Sequence, residues 1–420
     1  MKASYDSKIY FPKVLLILFF LYNVNYKFIP GDIPTSYLSL GFIVVASLYW
    51  ILRKKRFPVA NGWALVSALL LFFCSMISYF DNIEHADLYM IRTTFIYLIM
   101  VLFVSPFIAC IFKNDRKEVL KTVGYAGLVN GILILGMLIF KPLQYIYLPL
   151  LSEKTFLLIG GNDAIESLMS LRMIGITGFS AYTTGFVQVL CAICYIYYMI
   201  LRDGRIRLKL SDYILLIIIF LSALVSARSS LIGIFLSIII LMFNMNSLRF
   251  IKTLSLSLSL SIISVIFLFS IITMLLPDNL SDFFINWATE FFVSGTKTGS
   301  LQTNIDMYIY GLNDFSAFGQ SRWYGDNNDY FMNTDVGWYR LAFSIGFLGV
   351  IFWYITLMNI FRFNRLFTSR ISIENIISIC IFIYITIMMF KGAIIFDSFQ
   401  SVLILLVLDI VFYNRNKYEA

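Results

Sequence analysis

Long apolar runs separated by short polar connections make up most of this chain. Each run has roughly the 20 residues that an α-helix needs to cross a hydrocarbon core about 30 Å thick. Such segments must be helical, because lipid offers no partner for an unpaired backbone N–H or C=O group. The pattern predicts an all-α polytopic membrane protein of about twelve transmembrane helices. The predicted spans are 10–28, 36–52, 61–80, 89–112, 120–140, 181–201, 212–227, 229–246, 254–276, 336–361, 372–390 and 393–413.

Composition supports this prediction and excludes a soluble globular protein. The chain is 60% hydrophobic and 13% charged, with a mean hydropathy of +0.84, whereas soluble domains carry roughly 25% charged residues. A net charge of +8 can indicate a nucleic-acid partner. The position of the basic residues along the chain argues against that, because most of them lie in alternate connections.

The basic residues also predict the orientation of the chain. Most of the 32 Lys and Arg residues fall in every second connection or in the tails, and short basic loops mark the cytoplasmic side. Both termini are therefore predicted to be cytoplasmic. On the opposite face, Lys27, Lys141, Lys154 and Lys297 can be ordinary loop charges, and Arg92 and Lys391 can be structural anchors. Four arginines remain that need another role: Arg172, Arg228, Arg322 and Arg340.

Two connections are long, 141–180 and 277–335, and both fall on the predicted outer face. Long segments of this kind in a compact protein are usually functional or disordered. Their apolar content predicts that they fold against the membrane. The spacing of aromatic residues in 282–292 predicts a helix in the membrane interface. The whole chain, 1–420, is interpreted as a single integral membrane domain.

The end of the first long loop is a candidate binding segment. Arg172 is followed by Gly175, Gly178, Tyr182 and Gly185, and glycines let a ligand approach the backbone closely. Ser180 or Thr183 could cap the next helix, whose first N–H groups would then favour an anion. The alternative is an ordinary surface arginine that extends toward lipid headgroups.

Arg228 lies in the tight turn 226–230, between two predicted spans. An arginine this close to the hydrocarbon core costs a few kcal/mol unless it is paired or faces a water-filled cavity. The flanking spans contain no acidic residue other than Asp212, at their opposite end. The partner is therefore expected from elsewhere in the fold or from a ligand.

The end of the second long loop combines aromatic, amide and acidic side chains over 319–340. Aromatic faces and carboxylate or amide oxygens are suited to a sugar. Asp335 is a candidate general base, and Arg340 could orient it or lower its pKa. Asp335 could also be a helix cap, and Trp338 and Tyr339 interface anchors. Arg322, Arg340, Trp323 and Tyr324 complete the predicted substrate-binding residues, together with Gly175 and Tyr182.

Two further motifs point to metal or redox chemistry only weakly. His85 is the single histidine, beside Asp81, Glu84 and Asp87, and lacks the second histidine or cysteine of a typical metal site. Cys191 and Cys194 form a Cys-x-x-Cys pair within a predicted span, where core packing is the favoured interpretation. No metal or cofactor is predicted.

Arginine side chains suit phosphate oxygens. Together with the loop whose side chains are suited to a sugar, they indicate that the substrate is a glycan carried on a lipid diphosphate. The chain resembles the bacterial O-antigen polymerase and O-antigen ligase superfamily in its many spans, its two large outer loops and its stretches 172–185, 226–230 and 319–349. Ligases of that superfamily usually carry a His-Asn pair where the loop re-enters the membrane, and often Asn-Pro after the first arginine. This chain has Asp335-Val336 and lacks the Asn-Pro, which favours a polymerase.

The resemblance implies a metal-independent, inverting glycosyltransferase of the inner membrane, with its active site facing the periplasm. Arg172 and Arg228 would bind the undecaprenyl diphosphate of the donor, and the acceptor would be a second lipid-linked repeat unit. A polysaccharide chain-length regulator is a candidate partner, besides membrane lipids. The alternatives are an O-antigen ligase and a lipid-linked oligosaccharide flippase or other transporter. Transporters typically contain internal repeats of spans, and none is evident between 1–200 and 210–420.

Overall fold

A computed structural model describes residues 11–57, 61–153, 174–179, 181–204, 209–243, 305–325, 329–365 and 372–418, and the isolated positions 270, 274 and 302. Within these ranges the chain is helical, and extended pairing is limited to two isolated bridges, Tyr26 with Leu151 and Tyr324 with Tyr330. The predicted interfacial helix 282–292 and the predicted span 254–276, except positions 270 and 274, lie outside the described residues.

The α-helices of the described residues are numbered here in chain order. They are α1 Phe11–Leu21, α2 Thr35–Lys54, α3 Gly62–Asp81, α4 Tyr89–Ile111, α5 Arg116–Ile139, α6 Lys141–Tyr147, α7 Tyr182–Asp203, α8 Leu210–Ser226, α9 Ser230–Phe243, α10 Gly337–Ile360, α11 Ile373–Met389, α12 Ile394–Asp397 and α13 Ser401–Tyr418.

Six of these helices, α2, α3, α4, α5, α7 and α10, are long and apolar enough to cross a membrane. The shorter apolar helices α8, α9 and α11 overlap further predicted spans. The predicted span 10–28 is too long, because α1 ends at Leu21 and the chain then turns so that Tyr26 pairs with Leu151. Helix α13 covers only the second part of the predicted span 393–413. The all-helical class predicted from the apolar runs is therefore confirmed for the described residues, and six of their helices could span a membrane.

The described residues fall into two compact units. One comprises the described parts of Met1–Phe42 and Asp115–Gly295, and the other those of Ile43–Asn114 and Thr296–Ala420. Each unit contains residues of one or more of the predicted site segments.

In the first unit, α5, α7 and α8 pack against one another, and α1 and α9 pack on them. Gly127 of α5 faces Cys191 so closely that a Cβ there would lie 2.5 Å from the cysteine Cβ. Small residues at helix contacts of this kind are typical of membrane interiors. Buried polar side chains connect α7 and α8 to the residue that follows α1: Tyr22 donates to Gln188 over 2.8 Å, and Gln188 donates to Ser222 over 3.0 Å.

All five cysteines are free thiols. Cys191 and Cys194 are fully buried in α7. The interpretation of this pair as core residues is confirmed by their position.

In the second unit, α3 packs against both α4 and α10, and α13 packs against α4. Helix α10 is interrupted at Gly346, whose backbone has φ 69° and ψ 175°. A Cβ at this position would lie 2.1 Å from the carbonyl oxygen of Ala317. Glycine is therefore required where the second long loop enters the bend.

The last predicted span, 393–413, is wrong as one continuous helix. The chain forms the short helix α12, is non-helical from Ser398 to Gln400, and resumes as α13 at Ser401. The break has a local cause that an apolar run conceals: polar Ser398 and Gln400 bond to each other over 3.1 Å, and Ser401 donates to the Ser398 carbonyl over 2.7 Å. Such local side-chain bonds compete with helical ones.

Candidate functional site

The first predicted site segment is only partly described, because Arg172 and Ser180 lie outside the described residues. Gly175 has φ 88° and packs on α5, where a Cβ would come within 2.8 Å of Ile134. The next residue, Ile176, donates its N–H to Asn130 of α5 over 3.0 Å. Gly175 thus allows the backbone to pack closely against α5. Its role in binding substrate stays a prediction.

Helix α7 begins at Tyr182, and its N-cap is Ala181, with no side-chain cap. The prediction that Thr183 could cap this helix is wrong, because Thr183 already lies inside its first turn. Tyr182 and Gly185 are three residues apart and lie on the same face of α7. A Cβ on Gly185 would lie 2.3 Å from the Ser230 hydroxyl oxygen. The start of α7 is therefore in contact with the turn that contains Arg228.

Arg228 is half-buried in the turn between α8 and α9. Its carbonyl accepts the N–H of Leu231 over 3.0 Å, which begins α9. The hydroxyl oxygens of Ser229 and Ser230 are buried, and no described residue hydrogen-bonds to either. A guanidinium, two hydroxyl groups and the first N–H groups of a helix are all anion-binding groups.

The second long loop is built into the bend of α10. Because Gly346 interrupts the helix, backbone groups on either side of it can bond to loop residues 316–321 instead. Four hydrogen bonds join the two segments: Gln320 N–H to Phe343 O (2.6 Å), Ser321 N–H to Ser344 O (2.9 Å), Phe347 N–H to Ser316 O (3.3 Å) and Leu348 N–H to Ala317 O (3.2 Å). Irregular backbone at membrane depth is tolerated only where it is buried and satisfied in this way.

Asp87, at the start of α4, holds the next part of the loop. Its carboxylate accepts the backbone N–H groups of Trp323 (2.5 Å) and Tyr324 (3.1 Å), and also that of Tyr89, the first residue of α4 (2.9 Å). The Asp87 N–H in turn donates to the Ser321 carbonyl over 2.8 Å. The sequence by itself suggests for Asp87 only a weak metal site beside His85. No cluster of three or more metal-binding side chains occurs in the described part of the chain.

The loop places two aromatic rings on the Arg340 guanidinium. The Cζ atom of Arg340 lies 4.1 Å from the Trp323 ring centroid and 3.9 Å from that of Tyr330. Tyr89 of α4 stacks on Trp323 at 4.9 Å with an interplanar angle of 11°. Both Trp323 and Arg340 are almost fully buried. Cation–π contacts of this kind are stronger when they are removed from water.

The ion-pair partner of Arg340 is Asp397, at the end of α12. Both Asp397 carboxylate oxygens lie within hydrogen-bond distance of Arg340 Nη1, at 3.2 and 3.1 Å. Helix α4 positions α12, because Tyr89 and Tyr97 donate to the carbonyl groups of Phe396 (2.9 Å) and Ile395 (2.7 Å). The predicted effect of Arg340 on the pKa of Asp335 is present, because its positive charge lowers that pKa, but the ion pair of Arg340 is with Asp397 and not with Asp335. Asp397 is the residue that sequence reasoning missed.

A signal for Asp397 was present. It is one of two aspartates within the apolar run 393–413, and an ionisable residue in such a run usually has a function or a buried partner. The other, Asp409, is also buried and forms an ion pair with Arg362.

Asp335 lies just before α10, and it does not cap that helix. The N-cap is Val336, and no side-chain cap is present, so the alternative interpretation of Asp335 as a cap is wrong. The carboxylate is half-buried, and no described residue hydrogen-bonds to it. Burial raises the pKa of Asp335 above its usual value, and Asp397 raises it further, against opposing effects of Arg340 and Lys391.

Around Asp335 the loop presents partly exposed aromatic rings. Tyr324 and Tyr330 are 37% and 38% exposed and lie with their rings 6.3 Å apart and nearly parallel. Burial raises the pKa of Tyr330 to about 12, and the charges of Asp397 and Asp335 contribute, so its hydroxyl remains a hydrogen-bond donor at neutral pH. Arg322 places its Cζ 4.8 Å from the Phe331 ring centroid.

The structure thus brings together Trp323, Tyr324, Asp335 and Arg340 in the second unit. Gly175, Tyr182 and Arg228 belong to the first unit. Comparisons with protein-family models, with curated proteins and with solved structures gave no match.

Proposed function

We propose that this protein is a polysaccharide polymerase that joins lipid-diphosphate-linked oligosaccharide repeat units on the outer face of the bacterial inner membrane. The proposal includes twelve spans, cytoplasmic termini and no metal or cofactor in the reaction. Its main support is the loop held in the bend of α10, where the half-buried carboxylate of Asp335 is close enough to Tyr330 and to buried Arg340 to interact with them electrostatically. Carboxylates and aromatic faces together are the groups that bind and activate sugars.

In the proposed reaction, a hydroxyl of the acceptor sugar attacks the anomeric carbon of the donor from the face opposite the diphosphate. The new C–O bond forms as the bond to the diphosphate oxygen breaks, and the configuration at the anomeric carbon inverts. The hydroxyl proton passes to the Asp335 carboxylate. The lipid diphosphate leaves with the bonding electron pair, and Arg172 and Arg228 stabilise its negative charge.

The turn that contains Arg228 supports the anion-binding part of this proposal. Half-buried Arg228 is followed in the same turn by Ser229 and Ser230, whose buried hydroxyl groups no described residue bonds. Buried polar groups normally have partners, and phosphate oxygens would supply them. Tyr324 and Tyr330 are the proposed stacking faces for the glycan, and Arg322 is a further substrate-binding residue. Trp323 is buried, and its proposed role is to hold Arg340 in place.

The test is polymer formation by the purified protein from a lipid-diphosphate-linked repeat unit. We expect Arg228→Ala and Asp335→Asn each to lower the rate by about 100-fold or more, because each removes a group that acts in the transition state. Arg53→Ala, an exposed arginine at the end of α2, is the control and should retain the wild-type rate. Wild-type rates for both site variants would refute the site assignment.

The pH dependence tests the base separately. A base must be ionised to accept a proton, and burial raises the pKa of Asp335. Activity should therefore fall with decreasing pH at a higher value than for an ordinary carboxyl group. A rate that stays constant down to the usual carboxyl range would contradict the role of Asp335.

The glycan profile of a strain lacking the protein separates the alternatives. Single repeat units on the lipid carrier would support a polymerase. Unattached polymer on the carrier would indicate a ligase of the same superfamily, and precursor trapped on the cytoplasmic side would indicate a flippase. The second and third outcomes would each overturn the proposal.

A further inference from the structure

A cavity of about 570 Å³ lies beside the first turn of α4, in the second unit. Its walls are mainly apolar and include Phe72 of α3 and Leu88, Ile91 and Phe95 around the start of α4. The Phe72 and Phe95 rings are in contact, with centroids 5.6 Å apart. Cavities of this size and lining are typical of small-molecule and lipid sites.

Arg92 is the cation that lines this cavity. It is exposed, and its Cζ atom lies 5.3 Å from the Tyr89 ring centroid. The cavity also contains the Asp87 carboxylate, but that group accepts three backbone N–H groups from Tyr89, Trp323 and Tyr324. In the described residues no carboxylate lies within ion-pair distance of Arg92. The cavity therefore offers a guanidinium to an anion.

The surroundings of the cavity favour a lipid as the source of that anion. Both α3 and α4 are long and apolar enough to cross a membrane. Leu88 and Phe95, which line the cavity, are 60% and 47% exposed. Arg92 lies one turn inside α4, where a charge facing hydrocarbon is costly unless it finds a partner. A phosphate at the membrane surface, with its chain against the apolar wall, satisfies both parts of the cavity.

We propose that this cavity is a binding site for one anionic phospholipid of the bilayer, with the phosphate on Arg92 and an acyl chain along Phe72, Ile91 and Phe95. A single guanidinium matches the single negative charge of a phosphodiester, whereas a diphosphate carries more charge than one arginine neutralises. The cavity borders the candidate site, because Tyr324 also lines it, but the inference does not depend on the proposed polymerase reaction and requires no glycan.

The experiment is native mass spectrometry of the full-length protein in detergent, with phosphatidylglycerol and phosphatidylcholine as probes. We expect one phosphatidylglycerol molecule to bind in preference to phosphatidylcholine. Arg92→Gln should weaken that binding by about tenfold, the effect of losing one charge-assisted hydrogen bond. Arg53→Gln changes another exposed arginine at a helix end and should leave the binding unchanged.

A second variant keeps the test independent of the stability of Arg92→Gln. Ile91→Trp places a bulkier ring against the proposed path of the acyl chain and keeps the arginine, so it should also lower phosphatidylglycerol binding, while Arg92→Lys should retain most of it. Equal losses in the Arg92 and Arg53 variants would mean only general attraction to a basic surface and would overturn the inference. Tighter, Arg92-dependent binding of undecaprenyl phosphate would also overturn the assignment to a bilayer phospholipid.

Discussion

At the scale of the residue, Arg340 has two carboxylates in its neighbourhood and pairs with the one that is farther away in sequence. Asp335 is only five residues before it, but the chain between them is not helical until Gly337, so the two side chains do not share a helical face. Asp397 instead reaches Arg340 through the break between α12 and α13, at 3.1 Å. The Arg340 side chain is 1% exposed in that pair. A charge so buried depends on its partner.

Replacing Asp397 by asparagine and replacing Asp335 by asparagine should therefore have different effects on the free energy of unfolding. Asp397→Asn removes the charge that compensates buried Arg340, and we expect a loss of about 3 kcal/mol in unfolding free energy. Thermal unfolding of the purified protein in detergent measures this as a lower melting temperature. A melting temperature equal to that of the wild type would show that the ion pair contributes nothing to stability.

Asp335→Asn is the matched control. Burial raises the pKa of Asp335 in the folded protein above its pKa in the unfolded chain. The protonated carboxyl group therefore stabilises the folded protein. This contribution is fully present at a pH below the pKa in the unfolded chain and is lost as the pH rises through the pKa in the folded protein. The asparagine variant should thus be as stable as the wild type, or more stable, at neutral pH. The difference should disappear in acid.

At the scale of the element, two interrupted helices shape the site. Helix α10 bends at Gly346 and accepts the loop in the bend, and the α12–α13 break places Asp397 against α10. In each case a backbone irregularity in an apolar run is satisfied by local or loop hydrogen bonds. The bend positions the loop residues of the candidate site, and the break positions Asp397. An uninterrupted helix could not place these polar groups in the same way.

Gly346→Ala tests the importance of the bend. The backbone angles there are almost exclusive to glycine, and a Cβ would lie 2.1 Å from the Ala317 carbonyl. We expect a loss of about 2 kcal/mol or more, measured by thermal unfolding. Gly62→Ala is the control, since nothing lies within 4 Å of a Cβ there, and it should change stability by less than about 0.5 kcal/mol. Similar stabilities for the two variants would count against a strained bend.

At the scale of the whole molecule, the proposed function depends on which side of the membrane the loops face. The basic residues predict that 113–121 is cytoplasmic and that 81–88 is on the outer face. Single cysteines introduced in a cysteine-free background, Lys117→Cys and Glu84→Cys, should therefore react differently with a membrane-impermeant maleimide in intact cells. We expect labelling at position 84 and not at 117. The reverse pattern would place the candidate site in the cytoplasm.

The sequence by itself determined the helical class, the approximate limits of most helices and the residue types of the candidate site. These properties depend on runs of apolar residues and on local spacing, which a linear pattern records. Helices α3, α4, α7 and α10 begin and end within a few residues of the predicted spans. The Tyr324, Asp335 and Arg340 segment was likewise evident from its aromatic and polar composition.

Only the tertiary structure decided how those residues are paired. The Arg340–Asp397 ion pair and the two bonds from the Trp323 and Tyr324 N–H groups to Asp87 join parts of the chain that are distant in sequence, and the Trp323 and Tyr330 rings on the guanidinium join the loop to α10. A break in a helix and a glycine bend bring these parts together, and neither interrupts the apolar pattern enough to be predicted. Partners for buried charges are chosen by distance in space, which hydropathy and spacing along the chain do not encode.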